Sequence, residues 1–332
     1  MTDNKIDTVV IGAGPVGLAC AIEIQRRGHT VVVIDKGALV NSIVGYPTQM
    51  EFFSTPELLE IGGHPFPVAA YKPHREDALD YYQRVAAAEK LNLRLYERVT
   101  SLRGEAGDFV VTTDKGELRA RAVVVATGFF DVPNPLGAPG EDLPHVSHYY
   151  KEPYAHAGRD VVVVGAKNSS AKAALALVRA GARVSLVVRG PAIAETVKYW
   201  IRPDLLNRIA EGRIRAYFNT KISAITPTTV ELLTPNGPAT IPADHVYALT
   251  GYRPDYKLLV NQLELPLDEA DPARPPRFDP ATHESGRPGV YLAGTVCGGL
   301  ATSRWFIENG RHHAQLIAQA LTENLAPVSV LA

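Results

Sequence analysis

The sequence predicts an α/β chain of two Rossmann-like, three-layer units, and three observations carry that prediction. A strand, a glycine turn, a helix and a second strand open the chain over residues 7–36. The same arrangement returns without a gap over residues 160–189. A third glycine-rich turn, beginning at Gly294, follows the last apolar strand.

In the opening unit, DTVVIGAGPVGLACAIEIQRRGHTVVVIDK, the strand Thr8–Ile11 runs into Gly12, Gly14 and Gly17. Gly12 permits the tight turn, Gly14 lets a pyrophosphate approach the backbone, and Gly17 lets helix and strand pack closely. Pro15 and Val16 lie in the helix's first turn, where unpaired amides and the positive dipole end face the phosphates. Gly28 stops the helix. The second strand ends on Asp35, placed to accept from ribose hydroxyls, with Lys36 beside it. Together these parts form a complete dinucleotide fingerprint, which the glycines alone would not.

The totals set the frame. The 332 residues suffice for about two domains, and 46% hydrophobic with 21% charged residues describes an ordinary globular chain. Lys plus Arg at 34 against Asp plus Glu at 35 supplies no field for nucleic acid. No apolar run reaches the roughly 20 residues that span a bilayer. The opening MTDNKIDT leads straight into a strand, so no signal peptide is expected. Cys20 and Cys297 are far apart and form no CxxC, as expected of a cytoplasmic protein without a structural disulfide.

After Asp35, residues 36–67 are too long for a plain connection and stand over whatever the first turn binds. Pro73 is expected to open the next helix, with Glu76 and Asp77 in its first turn. Lys72, His74 and Arg75 form a basic cluster there, either a carboxylate site or a solvated helix start. Leu93–Tyr96 and Val99–Leu102 read as strands. Phe109–Thr113 and Leu118–Arg121 read as a hairpin around Asp114-Lys115-Gly116. The apolar strand Ala122–Ala126 ends in Ala126-Thr127-Gly128, and residues 129–153 read as a linker.

The repeat then pairs Gly12 with Gly165 and Lys36 with Arg189. Two such units imply two dinucleotides, or two halves of one larger site. Asp35 is replaced by Val188, followed by Arg189, so an acid is lost and a cation gained. That exchange suits a 2′-phosphate, hence NADPH rather than NADH. Lys198 and Arg202 either add to this cation or are solvated surface charges. Gly14 becomes Lys167 and Gly17 becomes Ser170, and Ser169 or Ser170 is expected to cap the following helix. Val246–Thr250 is another apolar strand, leading into Gly251-Tyr252-Arg253-Pro254-Asp255. Gly289–Ala293 is the last strand, and a helix over 302–321 is expected to close the fold.

GAGPVG, ATG, a second glycine motif, TGYRPD and YLAGT before a helix stand in one order. That order resembles two-dinucleotide flavoprotein reductases of the thioredoxin reductase type over nearly the whole chain. The resemblance implies that the second domain is inserted in the first. FAD would bind residues 1–130 and 252–332, and NADPH residues 131–251. It implies FAD contacts at Gly12, Gly14, Pro15, Val16, Gly17, Asp35, Lys36, Asn41, Ser42, Tyr46, Thr48, Val99, Ala126, Thr127, Gly128, Gly294, Thr295, Thr302 and Ser303. NADPH contacts fall on Gly165, Lys167, Asn168, Ser169, Ser170, Arg189, Lys198 and Gly251. No metal site is expected, and His312-His313 read as surface or interface.

Two features depart from the thioredoxin reductase pattern: residues 128–251 hold no cysteine, and Gly294-Thr295 replaces the usual Gly-Asp. VNSIVGYPTQMEFFSTPELLEIGG, KPHREDALDYY, KYWIRPD and FIENGRHHA resemble instead the YpdA-type bacillithiol disulfide reductases. This narrower likeness implies electron flow from NADPH through FAD to bacillithiol disulfide or a bacilliredoxin-type protein, in a homodimer. Many members carry a cysteine in the first glycine motif where this chain has Val16. Thr48 is the expected hydrogen bond beside the flavin ring. Cys297 reads either as a relay thiol with its pKa lowered by a helix N-terminus, or as a small buried residue. Cys20 reads as core. A ferredoxin or flavodoxin–NADP reductase also needs no CxxC, and a nucleotide sensor without turnover is the second rival.

Overall fold

A computed structural model describes residues 5–48 and 50–325. The ends of the two expected domain ranges, residues 1–4 and 326–332, lie outside it. The chain divides into two compact units, one of residues 1–44, 49–132 and 252–332, the other of residues 45–48 and 133–251.

The first unit begins with β1 (Ile6–Ile11), α1 (Pro15–Arg26) and β2 (Val31–Ile34). All four residues of β2 are buried, the continuous apolar pattern of a parallel strand covered on both faces. A helix α2 (Arg75–Ala88) follows, then β3 (Leu93–Arg94), β4 (Val99–Glu105), β5 (Asp108–Thr113) and β6 (Gly116–Val125). The sheet order is β3-β2-β1-β6-β5-β4, and the strand Val290–Leu292 also pairs with β6. The hairpin return and the expected apolar strand Ala122–Ala126 are one continuous strand. Residues 116–120 of β6 pair antiparallel with β5, and residues 123–125 pair parallel with Val290–Leu292. β6 therefore carries its alternating half into the hairpin and its apolar half into the buried sheet centre.

The second unit repeats the plan with β7 (Asp160–Val164), α3 (Asn168–Arg179), β8 (Arg183–Val187), α4 (Arg202–Ala210), β9 (Ile214–Tyr217) and β10 (His245–Ala248). Its parallel sheet runs β9-β8-β7-β10, and Val146–Ser147, within the expected linker, adds an edge strand. A three-stranded antiparallel sheet of residues 221–242 completes it. The α/β class and the two Rossmann-like units agree with the sequence-based expectation. No helix among the described residues is long and apolar enough to cross a membrane.

Candidate active site

The first glycine turn sits where β1, β6 and α1 converge. Gly12 has φ +113, and a Cβ on it would stand 2.5 Å from the Ala126 carbonyl oxygen. A Cβ on Gly17 would lie 2.0 Å from the Gly12 carbonyl oxygen. Both glycines are thus demanded by the protein's own backbone. Gly14 differs: a Cβ there meets nothing within 4 Å, so the space above it is open to a ligand. Gly14 also precedes Pro15, the first residue of α1, and no side chain caps that helix. Its first-turn amides face the same opening.

Asp35 is tied into this turn. One carboxylate oxygen accepts the Ala13 amide at 2.8 Å and the other accepts the Gly37 amide at 2.8 Å. Burial pushes its pKa up, the two amides oppose that rise, and the nearby Asp131 adds to it. Lys36 pairs with Asp131 at 2.9 Å. Behind the turn, the Thr127 hydroxyl oxygen is buried and has no hydrogen-bond partner among the described residues. An open cradle of amides, an acid held at the end of β2 and an unsatisfied buried hydroxyl fit a dinucleotide.

Asn41 and Ser42 begin a short helix, Asn41–Val44, in which Asn41 accepts the Ala38 amide at 3.3 Å. Arg75 clasps this helix through the carbonyls of Ile43 and Val44, at 3.1 and 2.9 Å. α2 starts at Arg75 rather than Pro73, because Asp77 accepts the His74 amide and sets the boundary there. Val99 is buried at the start of β4. Tyr46 and Thr48 group with the second unit. The Thr48 hydroxyl lies 2.9 Å from the Lys151 carbonyl oxygen and 3.0 Å from a Glu152 carboxylate oxygen.

At the third turn, Gly294 has φ +76, and a Cβ would lie 3.3 Å from the Val16 side chain. Residues 294–298, with Thr295, form a 3₁₀ turn. Thr302 and Ser303 lie in a loop, not in the first turn of a helix. Asn309 accepts the Phe306 amide at 2.7 Å, so the helical segment starts at Ile307 and breaks near Gly310 before the helix His313–Asn324. Cys297 is 1% exposed, and burial drives its thiol pKa upward, opposite to the expected lowering. It has no helix N-terminus to lean on, and it belongs to the core.

His313 is buried, which corrects its reading as surface. Its Nδ1 accepts the Gly294 amide at 3.1 Å, while His283 donates from Nδ1 to the Leu292 carbonyl at 2.9 Å. The two ring centroids lie 4.0 Å apart with planes tilted by 36°, and the pair clasps both sides of Ala293 through Leu292 and Gly294. The side-chain donor atoms of His283, Cys297 and His313 lie within 4.8 Å of one another. Accepting the Gly294 amide on Nδ1 places the His313 proton on Nε2, so the ring keeps no free lone pair for a metal ion. Burial pushes the His313 pKa down to about 3. The sequence held one signal for this residue: His313, Ile317 and Leu321 share a helix face.

In the second unit, Gly165 has φ +134 and a Cβ there would lie 2.6 Å from the Leu249 carbonyl oxygen. The cap of α3 is Lys167, not a serine. Ser170 is 1% exposed and its hydroxyl donates to the Lys167 carbonyl at 2.9 Å, while Ser169 is exposed. Asn168 accepts the Lys198 amide at 3.0 Å. Arg189 is exposed just beyond β8. Gly251 has φ +90, and its carbonyl accepts the Asn134 amide at 2.9 Å.

A model of the pyridine nucleotide-disulphide oxidoreductase family matches residues 9–294. The chain belongs to that family. It is a flavin-dependent oxidoreductase, and both glycine turns fall within the family match. Among curated family relatives, bacilliredoxin reductase Bdr of Bacillus subtilis is 39% identical over 95% of this chain and 97% of its own. The bacillithiol disulfide reductase Bdr (YpdA) of Bacillus cereus superposes with a TM-score of 0.93 at 38% identity, covering 97% of this chain and all of its own. The Staphylococcus aureus Bdr (YpdA) gives 0.92 at 36%, over 96% and 98% of the two chains. A Thermoplasma acidophilum thioredoxin reductase, at 21% identity and a TM-score of 0.75, shares the fold. Within the family frame, Val16 and the buried Cys20 and Cys297 leave this chain no thiol in the glycine turn and no CxxC.

Proposed function

We propose that the first unit holds FAD and the second NADPH, and that the enzyme reduces bacillithiol disulfide or a bacilliredoxin-type protein. The observation that carries the electron-donor reading is the repeated cradle, in which Val188 and Arg189 replace the acid and lysine, Asp35 and Lys36, that follow β2. The likeness to two Bdr structures over essentially whole chains supports the disulfide reading.

Held there, FAD would supply the redox chemistry that links a nicotinamide hydride to reduction of a disulfide. The chain's own task is to bind and orient. Gly14 and the first-turn amides of α1 receive the pyrophosphate, and Asp35 receives the ribose hydroxyls. The Thr127 hydroxyl supplies a buried partner. The His283–His313 clasp fixes the third turn against Val16. In the second unit the α3 amides take the NADPH phosphates, while Arg189 and Lys198 take the 2′-phosphate.

The purified protein is expected to be yellow and to oxidise NADPH when bacillithiol disulfide is added. Oxidation dependent on ferredoxin alone would replace this reading with that of a ferredoxin–NADP reductase. A colourless protein that refuses FAD on reconstitution would end both. Arg189→Ala is expected to cut the preference for NADPH over NADH by about 10- to 100-fold, the worth of one charge-assisted contact of roughly 1.5–3 kcal/mol. Ratios of kcat/KM for the two nicotinamides measure this. An unchanged ratio would remove Arg189 from the site.

A further inference from the structure

Besides its glycine turn and cations, the second unit carries a pair of exposed aromatic rings at Tyr199 and Trp200. Tyr199 is 82% exposed and Trp200 is 42% exposed, with ring centroids 4.8 Å apart and planes at 88°. Large exposed aromatics cost solvation and usually mark a contact surface.

These two rings do not sit on a slack loop. Ile193, Val197 and Ile201, at 2%, 2% and 6% exposure, anchor the segment in the core at four-residue intervals. Their burial turns the residues 198–200 outward. The segment is also fastened to the second glycine turn. The Ala194 amide donates to the Ala166 carbonyl at 3.0 Å. The Asn168 side chain, at the start of α3, holds the Lys198 amide at 3.0 Å and the Thr196 carbonyl at 3.4 Å. Gly190, next to Arg189, accepts the Asn219 amide at 2.8 Å, which ties the loop leaving β8 to the loop leaving β9. The Lys198 ammonium lies 5.8 Å from the Trp200 ring centroid. A right-angled aromatic corner is therefore held on a segment fastened to a phosphate-binding turn, with Lys198, one of the two cations assigned to a 2′-phosphate, beside it.

We infer that Tyr199 and Trp200 form the platform on which the adenine ring of a 2′-phosphorylated adenine nucleotide stacks. The inference rests on the placement of NADPH in the second unit and goes beyond it, naming what receives the base. A purine has a π-face and no net charge, so a fixed, exposed ring beside a cation that takes the phosphate suits it. The platform recognises the base, while Arg189 and Lys198 read the phosphate, so the two groups of residues contribute separately to affinity.

Calorimetric titration of the flavin-loaded full chain tests this with 2′,5′-ADP and 5′-ADP, which carry the base but no nicotinamide and cannot reduce the flavin. Trp200→Ala is expected to weaken both probes about 10-fold, the scale of one base–aromatic stack. Trp200→Phe is expected to recover most of that loss. Arg189→Ala should weaken 2′,5′-ADP and leave 5′-ADP as it was. Quenching of tryptophan emission by 5′-ADP, lost in Trp200→Phe, would support the stack independently. A Trp200→Ala variant that binds both probes as the parent does would overturn the platform. So would a loss confined to 2′,5′-ADP, since Trp200 would then act only through Lys198. A parent chain that binds neither probe would remove NADPH from this unit, and the platform with it.

Discussion

Gly14 and Gly17 differ in what an added methyl group would meet, and that difference separates folding from binding. A Cβ on Gly17 would drive into the Gly12 carbonyl oxygen at 2.0 Å, whereas one on Gly14 points into open space. Gly17→Ala is expected to destabilise the chain by about 1–3 kcal/mol, the usual range for overpacking. Gly14→Ala should melt near the parent temperature yet retain little FAD. Thermal unfolding followed by circular dichroism, beside the visible absorbance of the gel-filtered protein, checks both. Flavin retained at full stoichiometry by Gly14→Ala would place the pyrophosphate elsewhere. These glycines and Asp35 could be read from sequence because their roles depend on neighbours within one βαβ unit. Cys297 could not, because what buries it comes from distant segments: it packs in one core with residues of β1, β4 and β6.

At the scale of elements, sequence patterning located the strands better than it located their joints. The apolar run Ala122–Ala126 is legible in the sequence, but its continuity with the hairpin is not, since alternation gives way to full burial within a single strand. The closing helix begins later than the sequence predicts, for a similar reason. Helical periodicity runs through residues 302–321, yet the Asn309 side chain and Gly310 impose a late start and a break. The histidine clasp also belongs to this scale, because it joins the Val290–Leu292 strand to the His313–Asn324 helix. His313→Leu fills the space but leaves the Gly294 amide unpaired, at a cost of about 1–3 kcal/mol. His313→Asn keeps an acceptor on a short side chain and is expected to recover part of the stability and of the FAD affinity. Equal losses in the two variants would reduce His313 to packing alone.

For each unit as a whole, the balance of buried histidines sets a response to acid. In the second unit His245 is pushed down to about 4, first by burial and then by His156, His145 and Arg159. His156 is lowered too, by burial first and then by Arg159, and its Nε2 pairs with the Tyr247 hydroxyl at 2.7 Å. These rings are neutral in the fold. Below about 6.5 the unfolded chain binds protons that the folded rings refuse, so stability is lost as pH falls toward 4. The melting temperature is expected to fall over that window, and His245→Gln to flatten the decline. The two Rossmann-like units, by contrast, follow from the repeat of residues 7–36 at 160–189, because each copy carries its own start, turn and stop.

Cys20 and Cys297 are both sealed in the core, with thiols that burial holds in the protonated form. A flavin-dependent disulfide reductase gains something from that arrangement. It presents no sulfur nucleophile to be driven to sulfenic or sulfinic acid, the usual route by which thiol-based catalysts are poisoned. Pretreatment with hydrogen peroxide or iodoacetamide should therefore leave NADPH-driven disulfide turnover intact. Such a reductase would go on turning over in oxidant that spends enzymes relying on an exposed thiol.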